Sequence, residues 1–259
     1  MKINQKQELY KLLEEKVQKY NSQKFIEDDP ISIPHQFEQK EDIEISGFLI
    51  AIIAWGQRKT ILNNGEKLLQ IMEYSPFDFI VNHTDNDLKT AKKFVHRTFN
   101  GIDLCYFLGQ LQRIYKVEGG LETAFCNSKS ITVKDKIAQF KAQFFQAPYE
   151  RRTTKHLADP NKGSTSKRLN MYLRWMIRKD NAGVDFGIWK GIKPKDLMLP
   201  LDVHTGNVSR QLGLLTRKQN DWRAVEEVTE NLRQFDPNDP VKYDFALFGM
   251  GVNGTVEKK

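Results

Sequence analysis

Cysteine is the scarcest informative residue in this chain. Its 259 residues hold two, Cys105 and Cys126, in no CxxC pair. That is too few for a four-cysteine zinc site or a cysteine-held iron–sulfur cluster within one chain. Cys105, inside the apolar run LCYFL, reads as a small core residue. Long apolar runs are also missing. The longest candidate, 47–56, falls well short of the roughly 20 residues that span a bilayer. The N-terminal stretch MKINQKQELYKLLEEK has no apolar core of the signal-peptide kind, so the expectation is a cytoplasmic protein with no membrane partner. There is no HExxH, no Walker loop and no serine nucleophile elbow. His156 stands among lysine and arginine with no partner at ligand spacing, so neither a metal nor a cofactor is expected. Sustained apolar–polar alternation, internal repeats and low-complexity segments are absent too, which leaves an all-α fold.

What the chain does have is the composition of a folded globular protein, 39% hydrophobic and 28% charged. Its formal net charge is +7, which suits a nucleic-acid partner without requiring one. Residues 5–20 carry Leu9, Leu12, Leu13, Val17 and Tyr20 at spacings of three and four, the signature of an amphipathic helix. Two X-Pro steps make 25–37 an extended, irregular connection. A buried helix over 42–55 places Ile45, Phe48, Leu49, Ile52 and Ile53 inward and stops at Gly56. Residues 94–101 read as a helix ending at Gly101, and 104–115 as another. In 131–147, Ile137, Phe140, Phe144 and Phe145 share one face and belong to a core. Residues 148–162 read as a charged loop. Further helices are expected over 203–212, from Asp221-Trp222, and from Pro240, with Asp239 as the last one's cap. The domain plan is an N-terminal helix and connection (1–41) packed on a helical body in two lobes (42–251), then a tail (252–259).

The stretch that organises the chain is 162–213. A glycine-bearing loop of small polar residues, KGSTS, opens a helix with Leu169, Tyr172, Leu173 and Met176 as its core stripe. Lys167, Arg174 and Arg178 share another face, making that side basic. Backbone N–H groups at the start, with Gly163 permitting close approach, suit a phosphate. After an irregular insert, PLDVH opens the next helix with Asp202 well placed as its N-cap. Lysine at one helix start and aspartate at another can form an amine–carboxylate pair in a cleft. Spacing alone leaves the plain alternative open: an ordinary cap and an ordinary surface lysine.

The segment PLDVHTGNVSRQLGL resembles the VDTHV-type segment of the helix-hairpin-helix DNA glycosylases, the endonuclease III and oxoguanine glycosylase superfamily. GSTSK is similar to that superfamily's GxGxK hairpin, with Thr165 in place of the second glycine. Gln57, following an apolar helix, matches the glutamine-bearing SQQT or SAQT turn. Together with DPVKYDFALFGMG, these runs also look like an uncharacterised bacterial family assigned to the superfamily. The resemblance implies a two-lobed all-α fold and a DNA repair N-glycosylase, acting on a damaged base extruded from duplex DNA. It makes Asp202 the residue that stabilises positive charge on the sugar or positions a nucleophile. Lys167 becomes the nucleophile that forms a Schiff base, adding abasic-site lyase activity. Gln57, Arg58, Lys59, Lys162, Gly163, Thr165, Arg168, His204 and Arg210 become contacts to DNA. The insert makes the interval from Lys167 to Asp202 longer than established members keep. A monomer is expected. Two other readings stay open: a non-catalytic DNA- or RNA-binding protein, and a helical protein-interaction domain.

Overall fold

A computed structural model describes residues 3–126 and 132–254. Among them the fold is all-α. In chain order the helices are α1 (Ile3–Tyr20), α2 (Gln23–Asp28), α3 (Lys40–Ile53), α4 (Arg58–Ile71), α5 (Pro76–Asn82) and α6 (Leu88–Ala91). A two-strand hairpin follows, β1 (Val95–His96) and β2 (Phe99–Asn100). Then come α7 (Gly101–Arg113), α8 (Leu121–Cys126), α9 (Val133–Phe144), α10 (Lys167–Ile177), α11 (Val203–Gln211), α12 (Trp222–Arg233) and α13 (Tyr243–Asn253). The chain divides into two compact units, Met1–Phe25 with Asp159–Lys259, and Ile26–Ala158.

In the first unit α13 is the central helix, and α1 and α11 pack against it. Leu9, Leu13 and Val17 recur one turn apart on α1 and are buried with Val208, Val225, Val228, Leu232, Leu247 and Met250. Side chains of this size contribute roughly 1.5–3 kcal/mol each when fully removed from water. Gly249 lets α1 come close: a Cβ there would lie 2.3 Å from Cδ2 of Tyr20. The helix reaches Asn253, two residues into the segment read as a tail; 255–259 lie outside the described residues.

In the second unit α3 is buried on nearly every side from Ile43 to Ile53. Its one deeply buried charge, Glu44, accepts from the Tyr115 hydroxyl at 2.6 Å. Phe48 meets Phe140 edge-on at 5.8 Å, and Phe107 lies 4.9 Å from Phe144. The aromatic stripe of α9 is therefore core, as its spacing indicates.

Two segments differ from the sequence reading. Residues 25–37 are not extended: part of α2 and the 3-10 turns Pro30–Ser32 and Pro34–Gln36 occupy them. Each proline opens its turn, where a missing N–H costs nothing. Residues 94–101 are not a helix. Val95 pairs with Asn100 and His96 with Phe99, and Arg97 takes a left-handed φ of 54° at the turn. The hairpin is pinned through buried His96, which lies 2.9 Å from the Asn64 amide and 3.1 Å from the Trp55 carbonyl. Gly101 begins a helix instead of ending one, because Asn100 and Asp103 form a reciprocal capping box there.

Candidate active site

The candidate residues lie within the first unit, on the starts of α10, α11 and α13. The 159–166 loop leads into α10. The Asp159 carboxylate accepts from the Asn161 backbone N–H at 3.0 Å and starts the 3-10 turn Pro160–Lys162. Gly163 ends it at φ 82°, a conformation L side chains resist. The Gly163 carbonyl accepts from Trp222 N at 3.1 Å, fixing the loop to the start of α12. Ser166 is then held at φ 47°, a left-handed position that costs a non-glycine residue roughly 1–2 kcal/mol. The Asn170 amide holds the turn by donating to the Thr165 carbonyl at 3.0 Å. Ser166 Oγ and Asn170 Oδ1 are buried and have no hydrogen-bond partner among the described residues.

Lys167 is the first residue of α10. It is half-buried, and its Nζ lies 3.2 Å from Sδ of Met171, one turn on. Arg168 follows, also half-buried; burial pushes its guanidinium down to about 10. Two cations thus sit at the end of the helix whose dipole disfavours them.

Asp202 caps α11. Its Oδ1 accepts from Thr205 N at 3.0 Å, and Thr205 Oγ1 accepts from Asp202 N at 2.8 Å. The Asn220 amide donates to the Asp202 carbonyl at 3.1 Å. Among the described residues the cap uses Oδ1 alone of the two carboxylate oxygens.

Asp244 lies on the first turn of α13. It is buried and pairs with Arg174. Burial raises its carboxyl to about 6; Arg174 and then Lys167 pull it down, while Asp202 and Asp185 push it up. Behind it runs an ionic network. Arg174 Nε lies 3.2 Å from Asp185, whose other oxygen is 3.0 Å from Arg178. Arg178 also reaches Asp239 at 2.8 Å and Asp180 at 2.6 Å. The Phe245 ring lies against both guanidiniums, 4.3 Å from Arg174 and 5.4 Å from Arg178.

This network corrects one reading. Arg174 and Arg178, read with Lys167 as one basic side of the helix, do not face solvent. They are buried, because carboxylates contributed from four separate positions neutralise them. Asp244 itself carried no role in the sequence reading. The one signal for it was a lone carboxylate in the otherwise apolar run YDFALFGMG.

The remaining expected DNA contacts are spread out. Lys162, Gly163 and His204 are exposed, and Thr165 is half-buried. Arg210 commits its guanidinium to the Arg217 and Lys218 carbonyls and to Asn220, at 2.9, 3.0 and 2.6 Å, and so braces the 217–220 turn. Gln57, Arg58 and Lys59 belong to the second unit, exposed where α4 begins; Gln57 occupies the N-cap position without a side-chain cap bond. No group of three metal-ligating side chains occurs among the described residues, and no helix among them is long and apolar enough to cross a membrane.

Among protein families, the model described as "Protein of unknown function (DUF2400)" matches residues 29–253. No curated protein and no solved structure matches the chain.

Proposed function

The chain belongs to the DUF2400 family of proteins of unknown function, and we propose from its own residues that it is a DNA repair N-glycosylase with abasic-site lyase activity. Its substrate is a damaged base extruded from duplex DNA, since the glycosidic bond is inaccessible inside the stack. The observation that carries this reading is the placing of Lys167 on the first turn of α10 and of Asp202 as the cap of α11, both in the first unit. An amine on the first turn of one helix and a carboxylate capping another are the two groups that displacement at a sugar carbon requires. In that reaction the Lys167 nitrogen bonds to C1′ as the bond from C1′ to the base breaks. The base leaves with the bonding pair and takes up a proton. Asp202, through its open oxygen, offsets positive charge on the sugar while that bond is long. Opening of the sugar C1′–O bond then gives the Schiff base. The resemblance of GSTSK and PLDVH to the glycosylase motifs supports the same assignment.

Exposed Gln57, Arg58 and Lys59 favour a second reading, a nucleic-acid-binding protein without chemistry. A panel of lesion-bearing duplexes, scored for strand cleavage after heat or alkali, separates the two. The glycosylase reading expects cleavage of at least one lesion and none with Lys167→Gln. Tight binding with no cleavage across the panel favours the second reading.

A further inference from the structure

The hairpin of the second unit has a firmly held backbone and one unused cation. His96 ties β1 to the α3–α4 turn. One of its ring nitrogens lies 3.1 Å from the Trp55 carbonyl and the other 2.9 Å from the Asn64 amide. Arg152 ties the opposite side. It donates to the Thr98 carbonyl and to Asn100 Oδ1 at 2.8 and 2.9 Å, and pairs with Asp103 at 2.8 Å. These bonds fix where the tip, Arg97-Thr98, sits. None of them uses the Arg97 side chain.

Arginine is an unfavourable choice for that tip. Arg97 opens a two-residue turn at φ 54°, where glycine, asparagine or aspartate is usual and a β-carbon is strained. Its side chain runs over the α3–α4 turn. A β-carbon at Gly56, itself at φ 102°, would lie 2.7 Å from an Arg97 guanidinium nitrogen and 3.3 Å from its Cδ. The bare glycine therefore makes room for the arginine. From Gly56 the exposed run continues through Gln57, Arg58, Lys59 and Thr60. Arg58 and Lys59 occupy the first turn of α4, the end of the helix dipole that disfavours cations, and no acidic residue stands in that turn. Among the described residues Arg58, Lys59 and Arg97 have no ion pair. Three exposed cations from two elements thus collect around one glycine, each where the fold has no use for its charge.

We propose that the hairpin tip and the α3–α4 turn form one nucleic-acid surface, in which Arg97 holds a backbone phosphate alongside Arg58 and Lys59. The inference rests on the nucleic-acid binding that both readings above share, and adds an element that neither contained. The planar fork of arginine donates two parallel hydrogen bonds to a phosphate. The pinned hairpin presents that fork with little backbone freedom left to lose on binding. Cations fixed on two separate elements match charges repeated at a set interval, as phosphates are along a strand. His96 and Arg152 are positioning residues, since they set the hairpin and their own polar groups are already engaged.

Fluorescence anisotropy of the full-length protein with a short labelled DNA duplex, across several salt concentrations, tests this. Arg97→Gly is the informative variant, because glycine suits a left-handed φ better than arginine does. It should unfold at an equal or higher urea midpoint and yet bind the duplex several-fold more weakly at low salt. Its salt slope should be shallower by about 0.9, the loss of one phosphate contact. Arg97→Asn, which also tolerates this φ, should behave alike, while Arg97→Lys keeps the charge and most of the slope. Wild-type affinity and slope in Arg97→Gly overturn the proposal. A lowered urea midpoint with unchanged binding does so too, and makes Arg97 a packing residue. Binding of a labelled polyglutamate peptide as tightly as the duplex, with the same dependence on Arg97, overturns the nucleic-acid assignment in favour of an acidic protein. Failure of the underlying reading looks different: the wild type then binds no duplex even at the lowest salt.

Discussion

Asp202 has an observed role as a cap and a proposed one as a catalytic carboxylate, and substitution can separate the two. As an N-cap it accepts from the Thr205 amide with Oδ1, and asparagine can do the same with its amide oxygen. As a catalytic carboxylate it must be negative, and asparagine is not. Asp202→Ala should therefore cost on the order of 1 kcal/mol in urea unfolding, and Asp202→Asn distinctly less. Equal stability of all three proteins would remove the cap from the account. Base excision should be nearly abolished in both variants. Excision by Asp202→Asn at the wild-type rate would show that the negative charge is not needed. The cap was legible because it depends on four consecutive residues, Asp202 through Thr205. Asp244 was not, because what makes it unusual is burial beside Arg174, 70 positions earlier in the chain.

The same distinction runs through the elements. The amphipathic helices α1 and α12 could be read directly, since their apolar residues recur at the spacing of a helix and are buried where that spacing puts them. The hairpin at Val95–Asn100 could not, because strands of two residues are too short to show alternation. The basic side assigned to α10 was a reading of spacing alone, and spacing does not reveal that Arg174 and Arg178 are buried. Their partners Asp185, Asp239 and Asp244 come from loops and from the start of α13. This gives α10 a strong prediction. Arg178 is buried against three carboxylates, and Arg178→Met removes the cation they share. Breaking a buried pair from one side typically costs about 3–5 kcal/mol; here Asp180 and Asp239 lose their guanidinium, while Asp185 keeps Arg174. The variant should unfold at markedly lower urea than the wild type. A midpoint within error of the wild type would show that water reaches the cluster. The close approach of α1 to α13 gives another. In Gly249→Ala the new methyl must displace the Tyr20 ring, whose nearest atom would lie at 2.3 Å. The expected loss is about 1–3 kcal/mol by overpacking, read as a shift in the urea midpoint. No shift would mean that α1 moves aside without cost.

For the whole molecule the relevant quantity is charge. A net +7 gives long-range attraction to any polyanion, so binding to DNA alone says little about a site. The salt dependence says more, because each phosphate neutralised by a lysine or arginine contributes about −0.9 to the slope of log K against log salt. Not every basic residue can contribute. Arg174 and Arg178 are locked in the buried network, and Arg210 is bonded to the 217–220 turn. Arg58, Lys59 and Lys162 are exposed, and all three sit where a cation adds little to the fold. The first two lie at the dipole-positive end of α4, and the third at the end of a short turn. Replacing these three with glutamine should leave the urea midpoint nearly unchanged. It should make the salt slope for a short DNA duplex shallower by roughly 0.9 for each phosphate no longer neutralised. An unchanged slope, measured by fluorescence anisotropy across several salt concentrations, would move the DNA-binding surface away from both the α4 turn and the 159–166 loop. It would also remove the reason for placing an extruded base near Lys167, since the loop that carries Lys162 is the one that delivers Lys167 to the site.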